Sequence, residues 1–466
     1  MLAASLRSWV RETVLINILY IKVHFYIRLA IPPLFFPPRT RLPRLHRHHS
    51  VQTRVKNFEF RNPNSEFTGN LSSVLLSLVM RLLFIPFLVL PLALNAQTAA
   101  PVIVIEQTRK IDVAVESISG AEGPAAAKVL TDDLNRSGVC RVVPADSAAF
   151  VLTGSITPAG LSGRAVPKAG GAAVVDKSFS GDSRRAAHLF ADAVVEALTG
   201  SPGFASSKIT FASASGARKS KVKEIYISDI DGANARQLTQ DKSLGYGPKF
   251  SPDGSKIVYS SDKSGYRDTY VIDLASKKRS CIAQFPGQNT GASFSPNGST
   301  LALSLSKFGN PEICTLPASG GEPNRLTQTR GTDCSPSWSP DGTRIVYVSD
   351  ERGSPGLYII PASGGEAERL NTESSYTTEP DWSPDGKLIT YSISSGGGQI
   401  GVYDLASKKA RIVSRGSGLE SPSWTRNSRH LVASQNGHLV LLDTLTGETT
   451  KIPNNLSNNT EPNTSR

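Results

Sequence analysis

The sequence has few of the residues on which common catalytic and metal sites depend. Of its 466 residues, only four are Cys, seven are His and two are Met. The cysteines form no Cys-x-x-Cys pair and no histidine cluster lies near them, so a structural zinc site is not expected. The GxSxG, HExxH and P-loop patterns are also missing, and no GxGxxG phrase leads from a strand into a helix, which argues against hydrolases, zinc peptidases and nucleotide-dependent enzymes. We therefore predict no catalytic residue, no cofactor and no bound metal.

The four cysteines are Cys140, Cys281, Cys314 and Cys334. An exported protein can form disulfides, and Cys314 and Cys334 are one strand or turn apart. We expect separate, mostly buried thiols, with a disulfide between these two as the alternative.

Positive charge is concentrated at the beginning of the chain. The net charge is +12, and residues 1–79 hold 11 Lys and Arg against 3 Asp and Glu. The rest of the chain mixes both signs. A nucleic-acid-binding protein would instead place basic residues together on one face of its folded part, so we expect no nucleic-acid partner.

An export signal follows this basic segment. From Met80, one positive charge precedes an apolar core of about a dozen residues that ends near the small residue Ala96, which is the layout of a secretory signal peptide. We predict that translation begins at Met80 and that residues 1–79 are a spurious or unstructured extension. The segment 80–96 is then the signal peptide, and the mature chain begins near Gln97.

A six-residue phrase recurs along the C-terminal half. It reads KFSPDG, SFSPNG, SWSPDG and DWSPDG, and a degraded copy reads SWTRNS. Its aromatic residues, called anchors below, are spaced by 44 residues and finally by 42: Phe250, Phe294, Trp338, Trp382 and Trp424. In SPDG, proline presets φ and Asp-Gly supplies a tight turn, so we interpret the phrase as a turn rather than a metal loop. The anchor is interpreted as a wedge between neighbouring sheets.

The segments between the anchors predict antiparallel strands. Apolar and polar residues alternate with period two, and turn signals separate the runs. Units of 44 residues with four strands are typical of β-propeller blades. The strand after the anchor occurs six times, at 208–213, 256–261, 300–305, 344–349, 388–393 and 429–434. The predicted fold class is therefore mainly β, with a six-bladed β-propeller over residues 204–466.

The first blade has no anchor before it. TEPNTS at 460–465 aligns with TEPDWS at 378–383, with Thr464 in the place of Trp382. We predict that the C-terminal residues supply the innermost strand of this blade and close the ring, which removes open sheet edges.

Residues 97–203 are predicted to form a small α/β domain before the propeller. Its predicted strands cover 109–117, 139–145, 150–156 and 172–180. Its predicted helices run from 124 to 137 and from 182 or 183 to Gly200, where glycine favours a C-terminal stop. His188 on the second helix is interpreted as a structural residue.

A signal peptide, a small α/β domain and six WSPDG-type blades together resemble the TolB family, the periplasmic proteins of the Tol–Pal envelope system. The resemblance runs from about Met80 to Arg466. It includes ADAVVEALTGSPGFASSKITFAS at 191–213, DDLNRSGVCRVVPA at 132–145 and LSLSKFGNPEICTLPASGGEPNRLT at 303–327. It implies a periplasmic, monomeric, non-enzymatic scaffold that supports outer-membrane integrity and cell division.

The resemblance also implies two protein partners. Family members bind the peptidoglycan-associated lipoprotein Pal at one mouth of the propeller, and through Pal they associate peripherally with the outer membrane. The positions implied here lie in the loops just before each anchor: Gln288, Asn289, Cys334, Ser335, Thr378, Glu379, Leu419 and Glu420.

The second implied partner is TolA, which is anchored in the inner membrane and engages the extreme N-terminal segment of the family. That segment is here Gln97 to about Lys110, with the expected contacts Gln97, Val102, Ile103, Val104 and Ile105. A short apolar stretch at a mature N-terminus can pair with a partner by strand addition.

Two other functions fit a propeller. One is an exported propeller that binds a glycan, peptide or small ligand, which a deep central pocket with converging aromatic residues would favour. The other is a remnant or regulatory subunit of a propeller peptidase.

Overall fold

The computed structural model describes residues 110–216, 221–394 and 397–466. The predicted extension, signal peptide and TolA contacts (1–79, 80–96 and Gln97 to Ile105) lie outside the described residues. Within the described ranges, no helix is both long and apolar enough to cross a membrane.

A five-stranded sheet with two helices forms the first part of the fold. Its strands are β1 (Ile111–Ser119), β2 (Cys140–Val142), β3 (Phe150–Thr157), β4 (Gly160–Pro167) and β5 (Val175–Ser180), and its helices are α1 (Gly123–Arg136) and α2 (Ser183–Thr199). The strand order is β2-β1-β3-β4-β5, with β1 parallel to both of its neighbours. This arrangement confirms the predicted α/β character. Strand β4 was not predicted from the sequence, because its residues GLSGRAVP include two glycines and a proline that weaken a strand pattern.

Helix α2 has a capping residue at each end. The Asp182 carboxylate accepts a hydrogen bond of 2.8 Å from the backbone N–H of Arg185, and Gly200 adopts a left-handed conformation with φ of 71°. Phe190, Val194 and Leu198 are buried in the core that α2 shares with α1 and the sheet. The helix is therefore fixed by its caps and by one apolar face.

Six four-stranded antiparallel sheets follow, and they make the predicted six-bladed propeller in the described part of the chain. Blade 1 contains β6 (Lys208–Ser215), β7 (Val222–Asp229) and β8 (Arg236–Gln237). Blade 2 contains β9 (Gly245–Phe250), β10 (Lys256–Ser261), β11 (Asp268–Asp273) and β12 (Arg279–Ala283). Blade 3 contains β13 (Asn289–Phe294), β14 (Thr300–Leu305), β15 (Glu312–Pro317) and β16 (Asn324–Arg325).

The remaining blades repeat this plan. Blade 4 contains β17 (Asp333–Trp338), β18 (Arg344–Ser349), β19 (Gly356–Pro361) and β20 (Glu368–Arg369). Blade 5 contains β21 (Thr377–Trp382), β22 (Leu388–Ile393), β23 (Gln399–Asp404) and β24 (Lys409–Ile412). Blade 6 contains β25 (Leu419–Trp424), β26 (His430–Gln435), β27 (His438–Asp443) and β28 (Thr449–Lys451).

The last strand, β29 (Asn459–Thr464), pairs antiparallel with β6 and completes blade 1. Thr464 takes the place of an anchor, and its hydroxyl donates a 2.5 Å hydrogen bond to the backbone carbonyl of Trp424 in the neighbouring blade. The prediction that the C-terminal residues close the ring is thus confirmed.

The anchors pack between adjacent blades, as interpreted from the sequence. Trp382 and Trp424 are completely buried. The indole N–H of Trp424 donates to the carbonyl of Asp381 at 3.1 Å, and that of Trp338 donates to the carbonyl of Ser293 at 3.2 Å. Each of these bonds joins one blade to the blade before it.

The SPDG phrase forms a turn that uses its own aspartate. The Asp341 carboxylate accepts hydrogen bonds from the Ser339 hydroxyl at 2.5 Å and from the backbone N–H of Thr343 at 3.0 Å. These bonds lower the pKa of Asp341 to about 2. The carboxylate is therefore committed to the turn, which agrees with the interpretation from the sequence.

The structure pairs none of the four cysteines with another, and Cys314 and Cys334 lie in different blades. Cys140 and Cys314 are buried, Cys334 is half-buried and Cys281 is exposed. The expectation of burial therefore does not hold for Cys281, because it lies on the outermost strand of blade 2.

Candidate protein-binding site at the propeller channel

The innermost strands of all six blades share an unusual backbone conformation. The third residue of each strand has a positive φ between 53° and 65°: Gly247, Gly291, Ser335, Glu379, Ser421 and Glu461. Beside each of these residues, the pairing with the second strand shifts register. Four of the six are not glycine, although left-handed backbone is unfavourable for them. Strain that repeats around a ring marks it as a candidate functional surface.

These residues surround a cavity of about 320 Å³ at one end of the central channel, called the upper cavity below. All six of the left-handed residues line it, together with prolines that follow four of them. Its lining contains one aromatic side chain, Tyr246, among the described residues. Every blade therefore contributes residues to the lining of this cavity.

The structure places the eight predicted Pal residues in three environments. Four line the upper cavity: Gln288, Cys334, Ser335 and Glu379. Thr378 is half-buried next to Glu379, and Glu420 is exposed next to Ser421, which also lines the cavity. The other two, Asn289 and Leu419, have buried side chains with 0% and 1% exposure. Seven of the eight belong to the beginning of innermost strands rather than to loops, and only Gln288 precedes its strand.

Asn289 positions Gln288 instead of facing the channel. The side-chain amide of Asn289 donates to the backbone carbonyl of Phe285 at 2.9 Å. The side-chain oxygen of Asn289 accepts from the backbone N–H of Phe285 at 3.0 Å. This pair of bonds closes the loop before β13. Gln288 is held at the rim of the cavity as a result.

Two glutamates of the ring fasten neighbouring blades. Glu379 of blade 5 accepts from the backbone N–H of Ser421 at 2.9 Å and from the Ser421 hydroxyl at 2.7 Å in blade 6. Glu461 of blade 1 accepts from the Lys223 ammonium at 2.9 Å and from the backbone N–H of Gly247 at 3.0 Å in blade 2. Their carboxylates satisfy backbone donors that the left-handed residues expose.

Glu420 lies near the carboxylates of both glutamates. Its pKa is raised above the ordinary value, first by desolvation and then by the negative charges of Glu379 and Glu461. This part of the rim is therefore acidic.

Blade 2 gives the rim a cationic and aromatic segment. The Arg267 guanidinium donates to the Asp262 carboxylate at 2.8 Å and to the Tyr246 hydroxyl at 3.0 Å. Its central carbon lies 4.2 Å from the centre of the Tyr246 ring, which is a cation–π geometry. The mouth thus presents both signs of charge, as protein-binding surfaces commonly do.

Three residues divide the channel into two chambers. Lys249, Asp381 and Asn463 line both the upper cavity and a second cavity of about 250 Å³, the lower cavity. The Lys249 ammonium donates to the carbonyl of Pro336 at 3.2 Å. Desolvation inside the channel lowers its pKa, and the nearby Asp381 opposes that shift.

These three channel residues are not among the site residues predicted from the sequence. Each stands immediately before an anchor or, for Asn463, before the anchor substitute Thr464. Comparison of that position across the repeats would have found them, because it is the position that points into the channel in every blade.

Comparisons with known proteins agree with this architecture. A family model described as "TolB beta propeller domain" matches residues 195–451. The crystal structure of TolB from Acinetobacter baumannii superimposes with a TM-score of 0.69 at 25% sequence identity, covering 77% of this chain and 97% of that one.

Among curated relatives, the match to the Tol-Pal system protein TolB of Roseobacter denitrificans is 41% identical over 83 residues, 18% of this chain and 19% of the relative. The protein of the same name from Jannaschia sp. is 31% identical over 182 residues, 32% of this chain and 41% of the relative. The matched region thus spans less than half the length of either relative. Because the family model alone covers more than half of the chain, the chain belongs to the family of proteins that contain a TolB β-propeller domain.

Proposed function

We propose that this protein is a periplasmic, non-enzymatic scaffold of the Tol–Pal system. In this proposal the upper cavity and its rim bind Pal, and the segment from Gln97 to about Lys110 binds TolA. Together these contacts support outer-membrane integrity and cell division. The two curated relatives described above carry the name Tol-Pal system protein TolB, which supports the assignment to that system.

The observation that carries the Pal proposal is the ring of left-handed residues around the upper cavity. The four non-glycine residues of this ring are held in an unfavourable conformation, which costs stability of the order of 1–3 kcal/mol for each outlier. Here Ser335 and Glu379, two of the residues implied by the family resemblance, belong to that ring. The proposed contacts are the accessible rim positions, with Asn289 and Leu419 as buried supports.

A small-ligand function is less well supported. The volume of the upper cavity lies at the lower end of the range for ligand pockets, about 300–1,000 Å³. Such pockets are lined mainly by apolar and aromatic side chains, whereas the described lining of this one holds Tyr246 as its aromatic residue.

Capture by immobilised Pal and by immobilised TolA tests the proposal. Residues 97–466 and a second form that begins at Lys110 are passed over each partner. We expect both forms to bind Pal and only the longer form to bind TolA. Failure of both forms to bind Pal would contradict the proposal. Binding of TolA by the shorter form would show that the TolA site lies outside residues 97–109. The same Pal response for both forms also shows that the shorter one is folded.

A further inference from the structure

A buried histidine faces two carboxylates where the α/β domain meets blade 1. His188 on α2 is only 4% exposed, and its Nε2 atom has no hydrogen-bond partner among the described residues. One ligand atom each from His188, Asp229 and Asp231 lie within 4.8 Å of one another. Asp229 ends β7 and Asp231 lies in the turn that follows it. The cluster therefore joins the two parts of the fold.

The other ring nitrogen of His188 is already oriented. Its Nδ1 lies 2.5 Å from the carboxylate of Asp133 on α1. Ligand histidines in metal sites nearly always bond a carboxylate or carbonyl through their second nitrogen, which fixes the ring and raises its basicity. Asp133 fills that role here and leaves Nε2 free to take a ligand.

Two basic side chains currently neutralise these carboxylates. Arg184, one helical turn before His188, donates its Nε to Asp229 at 3.3 Å and its Nη2 to Asp231. Lys208 donates to the other oxygen of Asp229 at 2.7 Å. Asn234 also donates to Asp229, at 2.7 Å. The positive charge that the two carboxylates need is therefore supplied by protein side chains when no metal is bound.

Arg184 is the group that a metal would displace. Its side chain is 30% exposed, so it can turn into solvent when a divalent ion takes over both carboxylates. Lys208 bonds the oxygen of Asp229 that Arg184 does not use, so it can stay in place.

We infer that His188, Asp229 and Asp231 form a zinc-binding site, with Asp133 as the residue that orients the imidazole. One nitrogen and two carboxylate oxygens suit Zn²⁺, whereas Ca²⁺ and Mg²⁺ prefer oxygen ligands alone. A tetrahedral zinc ion holds its ligand atoms roughly 3.4 Å apart, so the three side chains need to close by about 1 Å. The metal would link α2 to blade 1 and stiffen the junction of the domains.

Zinc titration of the full chain, dialysed against chelator, tests this site. Residues 1–79 contain four histidines that could also bind zinc. The informative quantity is therefore the difference in bound Zn²⁺ between variants. We expect the wild-type protein to bind one more Zn²⁺ than His188→Gln. His438→Gln is the matched control, because His438 is exposed, and it should bind as many ions as the wild type.

Two further variants separate a metal site from a salt-bridge network. Arg184→Met removes the competing guanidinium and should tighten zinc binding at this site at least several-fold. Asp133→Asn should weaken it by about 10- to 100-fold, the range for residues that orient metal ligands. An equal stoichiometry for the wild type and His188→Gln, or no gain for Arg184→Met, would overturn the inference.

Diffraction at the zinc edge gives an independent readout. A crystal soaked in Zn²⁺ should show anomalous density beside Nε2 of His188. Density confined to other sites would count against the inference even if the titration shows bound zinc.

Discussion

The guanidinium of Arg466, the last residue of the chain, lies 2.7 Å from both carboxylate oxygens of Asp381. Arg466 follows the closing strand of blade 1, whereas Asp381 belongs to the innermost strand of blade 5. Asp381 also accepts a 2.9 Å hydrogen bond from the backbone N–H of Trp424 in blade 6. With the 3.2 Å hydrogen bond that it accepts from the Ser337 hydroxyl in blade 4, this carboxylate connects four blades inside the channel.

Replacing Arg466 should weaken the closed ring. Arg466→Met removes the guanidinium that bonds the largely buried Asp381 carboxylate, and we expect the free energy of unfolding to fall by about 1–3 kcal/mol. Urea denaturation measures this change. Lys408→Met is the control, because Lys408 and its partner Glu368 are both exposed, and it should cost less than about 1 kcal/mol. Equal losses for the two variants would contradict a role for Arg466 in ring closure.

A bulky residue at the rim should block Pal. Gln288→Trp places a large side chain at the upper cavity, and we expect Pal affinity to fall at least tenfold, about 1.4 kcal/mol. The control is Lys387→Trp, which adds the same side chain to an exposed SPDG turn. Biosensor titrations should leave the control within about twofold of the wild type. A strong loss for Lys387→Trp alone would move the Pal site away from the upper cavity.

The cysteines should report on occupancy of the upper cavity. Cys281 is exposed, Cys334 lines the cavity, and Cys140 and Cys314 are buried. Burial raises the pKa of Cys140 to about 11 and that of Cys314 to about 12, so both thiols stay protonated and unreactive. With a maleimide followed by mass spectrometry, we expect Cys281 to react first and Cys334 more slowly.

Pal should then slow the labelling of Cys334 and leave that of Cys281 unchanged. Cys281 serves as the internal control, since it lies on the outer edge of blade 2. Equal protection of both cysteines, or of neither, would argue against Pal at this mouth.

Mild acid should destabilise the fold through His430. Burial lowers the pKa of His430 to about 3, against the opposing charge of Asp443. Between its ordinary pKa of 6.5 and about 3, the unfolded chain takes up a proton at this residue and the folded chain does not. The contribution of neutral His430 to the free energy of unfolding is therefore complete above pH 6.5. It decreases as the pH falls, by about 1.4 kcal/mol for each pH unit.

Unfolding free energies between pH 4 and 6 measure this effect. His430→Gln lacks the titrating group, so its stability should depend on pH less steeply than that of the wild type, by about one proton. Parallel curves for the two proteins would refute the assignment to His430.

The repeats made the propeller predictable, and the channel much less so. The blade number follows from the 44-residue spacing of the anchors, and ring closure follows from the similarity of residues 460–465 to residues 378–383. Both patterns can be seen in the sequence alone. The conformation of Ser335 and Glu379 is not such a signal, because it depends on the register shift against the second strand. The burial of Asn289 likewise reflects its bonds to Phe285, which no periodicity encodes.

Contacts between segments that are distant in the chain could not be predicted from the sequence either. His188 meets Asp229 and Asp231 only after α2 packs near the turn that follows β7. In the sequence, a single histidine on a helix has no neighbouring ligand that would indicate a metal.

The pairing of β29 with β6 also sets an order of events during folding. Blades 2 to 6 consist of consecutive strands, so each can form from residues that are close in the chain. Blade 1 is complete only when residues 459–464 pair with its first strand, which lies about 250 residues earlier. Closing so long a loop is entropically costly and slow. We expect sealing of the circle to be the late step of folding.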